Sequence, residues 1–354
     1  MNMQMNVAYK AVVSTLATAC LLPALQAQTP LTTNQLLLRM DRDMAEVVLL
    51  YDAVKGTPIV NLTPQDARQQ VSIQDTTKIL ARGEGKAEQP MAVGKVLDGL
   101  TVPGRGGNQI PIRIYVPAGN GPFPVVTYFH GGGFVIATID TYDASARALC
   151  NYANAIVVSV EYRKAPEAPF PAARYDAIDA YQWVTKNITT YNGIASKVAV
   201  AGESAGGNLA IEVALAARGQ FQAPTSQLLV YPLTSLNLTQ LSDLTFTSSS
   251  LPLNTAGLKY FGALYAPGAD PSNPDVAPIN ADLHGLPPTT IIAAELDPLV
   301  SDGQAYAAKL TQQGDKVTYQ LYTGVTHEFF GLGAVVNKAK AAEMFGAAKL
   351  AASF

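Results

Sequence analysis

In the first hundred residues, apolar positions recur at three-to-four spacing, most clearly in NQLLLRMDRDMAEVVLLYDAV. This period predicts amphipathic helices from about Gln28 to Leu100. Thr63-Pro64 supplies an N-cap followed by a proline at the first helical position. No strand pattern is read there. Beyond it the texture changes to short β-branched runs: IPIRIYVP, FPVVTYFH, AIVVSVEY, KVAVAG, QLLVYP, TTIIAAEL and KVTYQLY. Helical or loop segments separate them, which predicts one α/β domain with a mostly parallel sheet and helices on both faces. The segment from about Leu236 to Pro267 interrupts the alternation without a strand of its own, and we read it as an insertion over the sheet's active edge.

Composition supports a compact fold: 48% of the 354 residues are hydrophobic and 14% charged. A formal net charge of −3 with no long basic run gives no electrostatic reason to expect nucleic acid or an anionic membrane, which favours small or neutral ligands. At the start, Lys10 precedes an apolar tract from Ala11 to about Leu25, ending at Leu25-Gln26-Ala27. The tract resembles a secretory signal peptide over residues 1–27 and is short of the ~20 residues a spanning helix needs. A lipoprotein reading through Cys20 fits poorly, because the apolar tract continues past it. Cleavage would leave Cys150 as the only cysteine, which excludes an internal disulfide. Cys150 falls in a helical stretch, TYDASARALCNYA, where a buried inert thiol is expected.

The candidate chemistry centres on VAVAGESAGGNLAIEVALAARG, where Ser204 stands between Gly202 and Gly206. A β run before it and a helical run after it are what a nucleophile elbow requires; a glycine-rich turn with an incidental serine is the alternative. A serine hydroxyl needs a base, an acid to orient that base, and donors for the oxyanion. The histidines are His130, His284 and His327. In the chain order serine, acid, histidine the base comes late, which favours His327 on the loop beyond the last β run. Asp297 ends the apolar run TTIIAAEL, with Pro298 turning the chain; Glu295 and Asp302 are its competitors. Gly131, Gly132 and Gly133 follow another β run and can point backbone N–H groups inward with that of Ala205. His130 is better placed to brace this loop than to act as base.

Together these pieces resemble the hormone-sensitive lipase family of α/β-hydrolase esterases. The resemblance rests on HGGGF at 130–134, EYRKAPEAPFPAARYDA at 161–177, GESAGGN at 202–208, DPLVSDG at 297–303 and HEF at 327–329. It implies an α/β-hydrolase fold over 101–354, with a helical cap formed by residues 28–100 and the 236–267 insertion. It implies Ser204 as nucleophile, Asp297 as acid, His327 as base, and Gly132, Gly133 and Ala205 as the oxyanion hole. Many family members carry Asp before the serine; Glu203 here also suits the longer type B carboxylesterases, so the subgroup stays open. The implied reaction is hydrolysis of short- to medium-chain acyl esters through an acyl-enzyme, with no metal or organic cofactor required and a small-molecule ester as partner. An amidase with the same triad remains an alternative. So does a non-catalytic ligand-binding module on this fold, such as the gibberellin receptors, although those lack the catalytic histidine. Activity is expected to fall as pH drops through about 6 to 7, where a histidine base becomes protonated.

Overall fold

The computed structural model describes residues 30–83, 85 and 91–354; the expected signal segment 1–27 and Cys20 lie outside the described residues. The strands are β1 (Lys95–Pro103), β2 (Gln109–Val116), β3 (Phe123–Phe129), β4 (Ile156–Val160), β5 (Gly193–Glu203), β6 (Gln227–Val230), β7 (Thr289–Leu296) and β8 (Val317–Thr326). They form one eight-stranded sheet in the order β1-β2-β4-β3-β5-β6-β7-β8. β2 runs antiparallel to β1 and β4, and the remaining pairs are parallel.

The helices, in chain order, are α1 (Thr33–Arg39), α2 (Arg42–Val54), α3 (Pro64–Ala67), α4 (Ile73–Gly83), α5 (Asp143–Ala153) and α6 (Ala172–Asn187). They continue with α7 (Ala205–Ala217), α8 (Leu241–Thr245), α9 (Thr255–Tyr265), α10 (Val300–Gln312) and α11 (Asn337–Ala351). The central strands are buried on both faces, and their period-two alternation divides the side chains between two cores. Val125, Val158, Val198, Val200 and Ile291 pack with α6, α7 and α10. Val126, Tyr128, Val157, Ala199, Ala201 and Ile292 pack with α5 and α11. Helices α2 and α4 extend this second core through Met44, Val47, Val48, Ile73 and Leu80.

One expected boundary shifts. β1 begins at Lys95, inside the stretch read as helical to Leu100. It is an antiparallel edge strand of which only Val102 is buried, interrupted by Asp98 and Gly99, so it lacks the apolar alternation that marks a half-buried strand. The 236–267 segment contains no strand and holds α8 and α9. It is tied to the N-terminal helices by several polar contacts. The Leu31 N–H donates to the Thr245 carbonyl at 3.1 Å, Ser250 Oγ to Asp52 at 3.0 Å, Tyr260 to the Leu62 carbonyl at 3.2 Å, and Lys55 to the Ser249 carbonyl.

Candidate active site

Strand register decides which loops meet. Phe129 of β3 pairs with Gly202 of β5, so the glycine loop and the Gly202–Gly206 turn leave the sheet side by side. Leu296 of β7 pairs with Thr326 of β8, so Asp297 and His327 emerge as neighbours from the same edge. The result is a continuous relay. His327 Nε2 lies 2.9 Å from Ser204 Oγ, and His327 Nδ1 lies 2.7 Å from Asp297 Oδ2. Ser204 is 6% exposed, His327 2% and Asp297 0%. Asp297 is held by the Leu299 N–H, which donates to Oδ1 at 2.8 Å, while the following Pro298 carbonyl accepts from Ser242 at 2.6 Å. Burial alone lowers the basicity of His327; the Asp297 carboxylate, through charge and hydrogen bond, outweighs it and leaves the imidazole pKa raised.

Ser204 sits at φ 56° and ψ −117°, a backbone region costly for any residue with a Cβ. The turn survives because both flanks leave no room for anything but glycine. A Cβ on Gly202 would lie 2.1 Å from the Gly206 carbonyl oxygen, and one on Gly206 would lie 2.0 Å from that of Phe129. The Ser204 N–H donates to the Val230 carbonyl at 2.9 Å, locking the turn to β6. Helix α7 begins at Ala205, so its first N–H groups lack intrahelical acceptors and face the serine. On the opposite side Gly132 and Gly133 adopt φ 99° and 59°. The Gly132 carbonyl accepts the Val135 and Ile136 N–H groups at 3.0 and 2.9 Å, turning the loop back on itself. Donors around a serine, histidine and carboxylate in this relay can activate the hydroxyl and hold a tetrahedral oxyanion.

These groups open into a cavity of about 560 Å³, within the usual range for small-molecule sites. Its walls come from the N-terminal helices and the insertion: Ile59, Val60, Leu253, Leu258 and Phe261 supply apolar surface above Ser204 and His327. Two of the charged residues on its wall are engaged in ion pairs. Lys55 meets Asp52 at 2.8 Å and Arg68 meets Glu167 at 2.6 Å.

A family profile described as alpha/beta hydrolase fold matches residues 126–331. The chain belongs to the α/β-hydrolase family. It is 41% identical over 260 residues to the carboxylesterase NlhH of Mycobacterium tuberculosis, covering 72% of this chain and 79% of that one. It is 32% identical over 311 residues to an ethyl acetate hydrolase of Pseudomonas putida, covering 85% and 95%. Among solved structures, an esterase from Pyrobaculum calidifontis shares 35% identity at TM-score 0.75, covering 83% of this chain and 94% of that one. An ester-hydrolase from the metagenome of Lake Arreo shares 33% identity at TM-score 0.80, covering 88% and 98%. The resemblance to the hormone-sensitive lipase esterases therefore holds.

On the α/β-hydrolase frame the other candidates fall away from the reacting centre. Glu295 faces the N-terminal segment, bound by Arg39 at 2.6 Å and by the Gly324 N–H at 2.8 Å. Asp302 caps the turn after β6, accepting from the Thr234 and Ser235 N–H groups at 3.0 and 3.1 Å. His284 is exposed and pairs with Asp282 at 2.6 Å. His130 braces the glycine loop: it stacks on Tyr162 at 4.4 Å between centroids, and its Nδ1 lies 2.7 Å from the Gly131 carbonyl. Burial pushes its pKa down to about 4, so it stays neutral. Cys150 is buried in α5, and burial raises its thiol to about 12, as an inert core thiol requires.

Several contributors escaped the sequence reading. Tyr162 donates to the His130 carbonyl at 2.8 Å and sits in the 161–177 motif, so that stretch braces the glycine loop. Arg68 reaches the same loop from above, donating to the Val135 carbonyl at 2.8 Å. Glu203 is fully buried, accepting from Tyr128 at 2.6 Å and from Tyr231, whose ring lies 4.4 Å from that of His327. Only Glu203 and the 161–177 segment had a signal in the motifs; Arg68 lies in a segment of ordinary helical composition. Among the described residues there is no group of three or more His, Cys, Asp or Glu able to hold a metal ion, and no helix long and apolar enough to cross a membrane.

Proposed function

We propose that this esterase hydrolyses short- to medium-chain acyl esters by a serine mechanism. In it Ser204 is the nucleophile, His327 the general base and then acid, and Asp297 the residue that orients the imidazole. The observation that carries the reading is the Ser204 Oγ to His327 Nε2 distance of 2.9 Å with Asp297 at Nδ1. His327 takes the hydroxyl proton as Ser204 Oγ bonds to the ester carbonyl carbon, and the oxyanion is held by the N–H groups of Gly132, Gly133 and Ala205. Collapse expels the alcohol, which receives the proton from His327 Nε2, and leaves the acyl-serine. Water, deprotonated by the same nitrogen, then releases the acid.

The N-terminal helices and the 236–267 insertion serve as a cap that walls the acyl or alcohol pocket, since both contribute to the cavity lining. Residues 1–27 act as an export signal; Lys10 followed by an apolar tract supports this reading. Intact-mass analysis of exported protein tests it, with loss of about 27 residues expected and a full-length mass overturning it.

For the activity, purified protein and Ser204→Ala are compared on p-nitrophenyl acetate, butyrate and longer esters. Hydrolysis by the wild type and its loss in the variant are expected. Equal hydrolysis by both, or none by either, sinks the reading.

A further inference from the structure

His327 has a second carboxylate on its reactive side. Glu328, the next residue, adopts φ 67°, and this left-handed backbone turns its side chain back alongside the imidazole. Glu328 Oε1 lies 3.9 Å from His327 Nε2, the nitrogen that faces Ser204. This separation is too long for a hydrogen bond, so the carboxylate acts on the ring through its charge. Its position is fixed by two other elements. Tyr142, just before α5, donates its hydroxyl to the two carboxylate oxygens at 2.6 and 2.7 Å. Gln74, on α4 of the N-terminal segment, donates from Nε2 to Glu328 Oε2 at 2.7 Å. Both partners present donors, so the group is held as an acceptor-only carboxylate. It also lines the cavity with Ser204 and His327.

We propose that Glu328 is a positioning residue for the reaction, whose negative charge beside Nε2 stabilises the imidazolium formed in each half-reaction and disfavours the carboxylate product in the pocket. The inference rests on His327 being the base. Each proton transfer turns a neutral imidazole into a cation flanked by Asp297 at Nδ1 and Glu328 near Nε2, two charges on opposite sides of the ring. The other groups facing this pair are Glu203 beneath and the phenols of Tyr51, Tyr142 and Tyr231. Among them Glu203, whose pKa burial raises to about 8, is tied to Tyr128 and Tyr231, whereas Glu328 is the carboxylate 3.9 Å from Nε2. Once the acyl-serine is hydrolysed, the acid is released as an anion into the same cavity, where the fixed charge repels it.

The test is the pH profile of kcat/KM for p-nitrophenyl butyrate in wild type, Glu328→Gln and Gln74→Ala. Gln keeps the shape and can still accept from Tyr142, but removes the charge. The acid limb of Glu328→Gln is expected to move down by about one pH unit, with the plateau lower by about tenfold, because the base is weaker. Butyrate should inhibit this variant more strongly than the wild type. Gln74→Ala loosens the carboxylate without removing its charge, so its limb moves less than that of Glu328→Gln. A limb that does not move in Glu328→Gln, or moves equally in both variants, overturns the proposal. If Glu328→Gln does not fold by circular dichroism, Glu328→Asp replaces it, with a smaller shift in the same direction expected and no shift counting against the idea. Ser204→Ala is run alongside: activity surviving in it sinks the serine mechanism, whereas its loss with an unmoved Glu328→Gln limb sinks this inference alone.

Discussion

Arg68 donates from Nε to the carbonyl oxygen of Val135 at 2.8 Å, joining the N-terminal segment to the loop that carries Gly132 and Gly133. The same guanidinium donates to the Ala165 carbonyl at 2.8 Å and grips both carboxylate oxygens of Glu167. The Val135 N–H in turn donates to the Gly132 carbonyl, so the planar fork sets the curvature of the glycine loop from the N-terminal segment. Removing it through Arg68→Met should lower kcat by about tenfold while changing KM less, because the donors it positions act most strongly in the transition state. Arg68→Lys should recover little, since an ammonium cannot span three acceptors with one plane. Steady-state kinetics on a short-chain p-nitrophenyl ester decide this; an unchanged kcat in the methionine variant contradicts the coupling.

Asp297→Asn separates orientation from fold. The amide retains an oxygen able to accept the Leu299 N–H, but it offers a donor or a neutral oxygen to Nδ1 where the native group offers charge. The wrong imidazole tautomer is then favoured, and an uncompensated imidazolium forms during attack. A fall in kcat of about 10⁴ is expected, with circular dichroism unchanged. The acid limb of the residual activity should also lie below that of the wild type, because Asp297 is the main influence raising the His327 pKa. A loss smaller than tenfold would assign Asp297 a lesser role.

Much of this site was legible because its parts stand at strand ends. Ser204, Asp297 and His327 each follow a β-branched run that ends in a turn, and the register of parallel strands brings such positions together. The glycines were legible because a strand and a helix that cross within 2.1 Å of a virtual Cβ allow no other residue. β1 was not, because an exposed antiparallel edge needs no apolar alternation to pair. Arg68, Gln74 and Tyr142 were not legible either: they stand far before Ser204 in the chain, and only the folded chain brings them to the site. The histidine base was expected to titrate at about 6 to 7. With Asp297 beside it the pKa lies above the ordinary histidine value, so the acid limb of activity belongs higher than composition alone suggests.

Glu203 should make the fold less stable as pH rises. Its folded-state pKa is raised from an ordinary carboxyl value to about 8 by complete burial, so the native state holds a proton that the unfolded chain releases from pH 4.5 upward. Its stabilising contribution is therefore full below the unfolded value and declines until pH passes about 8. Glu203→Gln keeps a neutral acceptor for Tyr128 and removes the titration. Between pH 5 and pH 8 the wild-type Tm should fall at least about 2 °C further than that of the variant. Glu343 and Asp302, both also raised by burial to about 7, act equally in the two proteins and cancel. Parallel Tm-against-pH curves would show that Glu203 is not the group responsible.

Phe261 of α9 lies against the glycine loop so closely that a Cβ on Gly133 would stand 2.3 Å from its ring. The ring therefore touches the loop and the cavity at once, and its replacement separates two effects. Phe261→Ala removes apolar wall from a cavity of about 560 Å³, beside Gly133. Each methylene that the enlarged space can bury contributes about 0.8 kcal/mol to binding, close to fourfold in kcat/KM. The preference among p-nitrophenyl acetate, butyrate, hexanoate and octanoate should therefore move toward the longer chains. Activity on acetate should fall at the same time, because a short acyl group cannot fill the space and the glycine loop loses the ring that packs on it. A uniform fall across all four esters would mean that Phe261 supports the loop without shaping the acyl pocket, and an unchanged profile would remove it from both roles.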